Sequence, residues 1–118
     1  MSIRIHAGFR RLLTITGTDR FGNAVTPENL VTTTTDSAIL ATDHASPKAD
    51  GTPIAGNQFW VNAQGQAGTA SVNLDGDGRE GDGVAPFSTV IDFEALAGDM
   101  VAANVSVGAG GEEPIPSV

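Results

Sequence analysis

Short runs of alternating apolar and polar residues, punctuated by Gly, Asn, Asp and Pro, fill this chain from end to end. The clearest is Phe87–Leu96, where Ile91, Phe93 and Ala95 point one way and Asp92 and Glu94 the other, the period of a half-buried strand. After Ala97-Gly98-Asp99, Met100–Val107 repeats the pattern with Val101, Ala103, Val105 and Val107 against Asn104 and Ser106. The pair predicts a closing hairpin. Upstream, Arg11–Thr18 predicts a strand with Leu13 and Ile15 inward, and Asp19–Asn23 a turn. Leu30–Thr35 and Ala38–Thr42 predict two strands around Asp36-Ser37, the β-branched threonine run favouring extended backbone. Gln58–Asn62 and Ala67–Leu74 complete the set, the latter with Ala70, Val72 and Leu74 inward. Ile3 and Ile5 alternate with Arg4 and His6, giving either a short first strand or an arm that docks elsewhere.

About seven strands in roughly 100 residues predict an all-β fold, an immunoglobulin-like antiparallel β-sandwich with extended termini. The expected division is an arm over residues 1–10, the sandwich over 11–108 and a tail over 109–118. The Gly/Pro/Glu-rich tail from Gly108 could reach roughly 35 Å at about 3.3 Å per residue. Residues 1–11 and this tail are expected to make contacts that order on assembly. Asp43–Gly56 is the longest loop, more than a lean β fold spends without a use.

Composition narrows the function. The 118 residues carry a net charge of −8, which argues against nucleic acid, and no cysteine, which excludes a disulfide framework. No apolar run approaches the roughly 18 to 20 residues of a membrane helix, and no secretory leader is visible at Met1. Arg4, Arg10 and Arg11 hold half of the six basic residues, while Glu112 and Glu113 sit in the tail. These ends are interface candidates for neighbouring copies or a charged partner.

Asn73–Asp82 gathers hard oxygen ligands at Asp75, Asp77 and Asp82, a weak calcium candidate. Its spacing departs from the helix-flanked calcium loop at Arg79, Glu80 and Pro86. No cofactor is expected. Asp43, His44 and Ser46 bring triad residue types together without a nucleophile motif, so no enzyme activity is expected. Trp60, beside Phe59 on the opposite face of one strand, is either core or an exposed interface anchor.

Three segments resemble small immunoglobulin-like proteins of tailed bacteriophages: Ile3–Thr16, then Thr33–Thr42, which is similar to the strand-turn-strand of bacterial Ig-like group 2 modules, and Phe87–Gly108. The resemblance implies a virion structural protein made in the host cytoplasm. A capsid decoration or cement protein comes first, binding other virion proteins, the major capsid protein above all, and copies of itself. Neck, tail or fibre placement is the alternative, and a carbohydrate-binding or adhesion module using Trp60 and the long loop is another.

Overall fold

The computed structural model describes residues 2–81, 84–103 and 112–116. Among them every regular element is a strand: β1 (Ile3–His6), β2 (Arg10–Thr14), β3 (Gly17–Thr18), β4 (Ala24–Val25), β5 (Glu28–Thr34), β6 (Leu40–Asp43), β7 (Gln58–Ala63), β8 (Gly68–Asp77) and β9 (Pro86–Leu96). The fold is all-β. No helix among the described residues is long and apolar enough to cross a membrane.

One sheet runs β1-β9-β8-β5 and a second β2-β7-β6; β3 and β4 form a small separate ribbon. The alternation read from the sequence decides which side chains each sheet turns inward. On the four-stranded sheet Phe93 lies between Ile3 and Ala70, Ile91 beside Val72, and Leu74 beside Thr32. Ile5, Val72, Leu74, Phe93 and Ala95 meet Leu40, Phe59 and Val61 of the other sheet in one apolar cluster. Aliphatic residues dominate it because the chain has few aromatics.

The expected arm is a strand. Ile3–His6 pairs with Phe93–Leu96 in parallel, and Ile5 is 2% exposed, so the ladders are not uniformly antiparallel. A turn at Ala7–Phe9 then carries the chain to the other sheet, with Gly8 at φ 86, a left-handed conformation glycine adopts without a Cβ penalty.

This placement also explains why the closing hairpin does not form over its described half. Along Phe93–Leu96 β9 has β1 on one edge and β8 on the other, so no edge remains there for Met100–Ala103 folding back from Gly98. Met100–Ala103 has no strand pairing and Val101 is 99% exposed. Asn104–Val107 lies outside the described residues, as does part of the 109–118 tail. Residues 112–116 are exposed and make no strand.

Two smaller corrections follow. The expected strand Arg11–Thr18 is broken at Ile15-Thr16, where Asn57 takes over: Ile15 N donates to its carbonyl, and Asn57 Nδ2 donates back to Ile15 O at 2.9 Å. The acidic loop starts later than expected, since β8 runs through Asp77.

Candidate interaction surfaces

Trp60 is covered on its outer face by the long loop. Phe59 and Val61 face the core, so Trp60 points to the opposite side of β7, yet it is only 8% exposed. Its Nε1 donates to Ser46 O at 2.6 Å, and the Arg10 guanidinium lies 3.6 Å from the ring centroid. Arg10 also donates to Pro47 O at 3.2 Å. Phe59 therefore serves one layer and Trp60 a second, smaller one beneath 44–57. Trp60 is not an exposed anchor.

Short polar turns shape that loop. The Asp43 carboxylate accepts from Ala45 N at 2.8 Å, Ser46 N at 3.0 Å and the Ser46 hydroxyl. The Ser46 hydroxyl first, then the two amides, hold the Asp43 carboxyl down at about 2, with Arg10 adding to the effect and desolvation opposing it. Asp50 repeats the device on Thr52, whose hydroxyl is the chief reason its carboxyl also sits low.

The triad residue types do not align for catalysis. Ser46 donates directly to Asp43, whereas His44 turns to the other side of β6, stacks on Phe59 at 5.4 Å between centroids and meets Thr32 Oγ1 at 2.7 Å. An imidazole between hydroxyl and carboxylate, the order a serine nucleophile needs, is not formed.

The calcium candidates separate. Asp75 stands on the outer face of the four-stranded sheet and accepts from the Ser88 hydroxyl. Asp77 is buried and its Oδ1 accepts from Ala85 N at 2.9 Å and Arg79 N at 3.0 Å, the two bonds that hold its carboxyl low. It closes the base of the loop rather than opening to an ion. Asp82 lies outside the described residues. No group of three His, Cys, Asp or Glu among the described residues could hold a metal ion.

The basic candidates lie on two faces. Arg4 pairs with Glu94 at 3.5 Å, the one ion pair among the described residues, and Arg11 Nε donates to Arg4 O at 2.7 Å. Arg10 belongs to the Trp60 layer. Glu112 and Glu113 are exposed, and neither forms an ion pair among the described residues.

One feature was missed in the sequence: a groove of about 390 Å³ at the end of the stacked sheets, its apolar lining drawn from Ile15, Val25, Pro27 and Phe87. The β3–β4 ribbon forms one wall, and its tip holds Phe21, 74% exposed, with Arg20 stacked 4.7 Å from the ring centroid. The tip is rigid by hydrogen bonding. Asp19 accepts from Phe21 N, Asn23 N and Asn23 Nδ2 at 2.8 to 3.0 Å, and the Asn23 side chain is the main reason its carboxyl sits low. Asp19 and Gly22 signal the turn, but where the ribbon lies against Phe87 is a tertiary matter.

No family model, curated protein or solved structure matches this chain.

The outer face of the four-stranded sheet is a further surface. Thr33-Asn73-Val90 and Val31-Asp75-Ser88 form rows across it, with Val31 and Val90 each 59% exposed. The face is broad, polar and uncharged except along Asp75, Asp92, Glu94 and Arg4.

Proposed function

We propose that the chain is an immunoglobulin-like structural protein of tailed-bacteriophage particles that acts by binding other virion proteins. Its strand order carries the reading. The β2-β7-β6 sheet has the succession of strands B, E and D of a constant-type immunoglobulin domain, and β5, β8 and β9 that of C, F and G. β1 runs along the last strand in place of a longer first one.

Placement as a capsid decoration protein comes first, with the major capsid protein as partner, and neck, tail or fibre second. The segments that resemble phage proteins, Ile3–Thr16, Thr33–Thr42 and Phe87 onward, fall on β1–β2, β5–β6 and β9 of this arrangement. The burial of Trp60 favours a protein-binding role over a glycan platform, because a sugar ring needs a free indole face and Arg10 occupies one. Available contact surfaces are the groove with Phe21, the outer sheet face and the exposed residues 112–116. A stable contact buries about 800 Å² per partner, and repetition on a lattice multiplies a weak one.

Co-sedimentation of the purified chain with phage heads tests the proposal. Saturation at a fixed ratio to the major capsid protein is expected; failure to pellet with heads or with tails would overturn it.

A further inference from the structure

The described residues include a stretch of strand-patterned sequence, Met100–Ala103, that pairs with no strand and, elsewhere, a strand edge, that of β5, with no strand paired to it among the described residues. Met100–Val107 has the alternation of a half-buried strand, with Val101, Ala103, Val105 and Val107 on one face. Its described part, Met100–Ala103, is exposed and unpaired, and β1 and β8 already flank the nearest part of β9, Phe93–Leu96. Apolar alternation left in water is what an added strand looks like before it is added.

The free strand edges among the described residues are not equivalent. On the side away from β8, β1 covers only Phe93–Leu96 of β9, and the stretch left open, Pro86–Asp92, starts at a proline and ends at a carboxylate. β1 offers four residues with Arg4 among them, and Arg11 Nε already occupies Arg4 O. β2 begins with Arg10 and Arg11, and β6 has four residues ending at Asp43. Charge and shortness are the usual means of blunting an edge. β5 has neither between Leu30 and Thr34, a run of Leu, Val and Thr without charge or proline. A bulge at Glu28–Val31, with Asn29 at φ 55, bends only its start.

The direction of its backbone groups follows from one bond. Thr35 N donates to Ser71 O across the β5–β8 ladder, so the amides of Thr33 and Val31 point the same way by strand alternation. The amides of Thr32 and Thr34 therefore point to the open edge.

We propose that residues Met100–Val107 of one copy add as a strand to the β5 edge of a second copy. Its own edge is out of reach. Leu96 lies beyond Ala95, which pairs with Gly68, while Thr34 pairs with Val72, four residues further along β8. Crossing from β9 to the outside of β5 takes about 14 Å at about 4.8 Å per strand, plus about 13 Å along the strands. At right angles these make about 19 Å, and the four steps from Leu96 to Met100 reach only about 14 Å, so a strand that begins at Met100 falls short. In a second copy no such limit applies. Donor segment and acceptor edge are different surfaces, so the contact is heterologous and continues from copy to copy into rings or filaments. This assembly concerns copies of the chain alone, and its test is separate from that of phage binding.

Sedimentation velocity of the full chain, from micromolar to millimolar, combined with amide exchange, tests it. The expected result is growth beyond the 12.0 kDa monomer as concentration rises, accompanied by slowing of Thr32 and Thr34 exchange by about tenfold or more. Ala102→Pro and Ala103→Pro together cover both amide parities of the donor. Both residues are exposed, so each variant should keep the wild-type melting temperature, and at least one should remain monomeric. A monomer at every concentration overturns the proposal. So does association that survives in both proline variants, or that leaves Thr32 and Thr34 exchanging as in the monomer.

Discussion

Trp60→Ala distinguishes a tryptophan that holds a loop from one held out for a partner. A tryptophan buries roughly 200 Å², of which about 130 Å² is lost on truncation to alanine. At about 25 cal/mol per Å² that is about 3 kcal/mol, and the lost bond to Ser46 O adds up to about 1 kcal/mol. The loop of residues 44–57 can settle or open to water, which recovers part of this, so the expected loss is about 3 kcal/mol. At about 4 °C per kcal/mol for a domain near this size, the melting temperature falls by about 12 °C. Since this is the chain's only Trp, unfolding of the variant must be followed by circular dichroism in urea. Arg10→Ala should cost about 1 kcal/mol in the wild-type background, from the lost cation–π contact and the bond to Pro47 O. It should cost almost nothing once Trp60 is gone. A Trp60→Ala loss below about 1 kcal/mol, or equal Arg10→Ala costs in both backgrounds, would refute the loop-anchor argument.

Other outcomes follow from single contacts. Ile5→Ala should cost about 2 to 4 kcal/mol in urea unfolding, as befits a core strand and not an arm. Gly76→Ala should cost about 1 to 3 kcal/mol, because a Cβ there would lie 2.8 Å from the Phe87 ring and 2.9 Å from Leu30. Phe21→Ala should leave stability within about 0.5 kcal/mol, since its ring is mostly in water; a thermal melt checks it. Asp43 has a folded pKa of about 2, below the ordinary 3.8, so its stabilisation is complete above the ordinary value and lost as pH falls through about 2. Acid titration of Trp60 fluorescence should show this step, and Asp43→Asn should remove it.

Strands facing a single core were legible from alternation. Ala70, Val72 and Leu74 on β8, Phe93 and Ala95 on β9, and Phe59 and Val61 on β7 lie inward as their period requires, because a period of two fixes sidedness without knowledge of the partner. Pairing was less legible. Ile3–His6 and Phe93–Leu96 stand at opposite ends of the chain, and no local signal announces a parallel pair between them. That one pairing takes the Phe93–Leu96 edge of β9, the stretch against which Met100–Ala103 would have had to fold back. Trp60 was ambiguous for a related reason. A residue on the outer face of a strand is exposed unless a loop returns over it, and only the length of Asp43–Gly56 hinted that one would. The groove beside Phe87 depends on where the β3–β4 ribbon lies, which Asp19 and Gly22 do not encode.

The most direct test of the virion proposal is the copy number of this chain in purified phage particles from its source, by quantitative mass spectrometry. A decoration protein is predicted to be present in a fixed ratio to the major capsid protein, in the hundreds per particle; a complete absence from the particles would contradict the account.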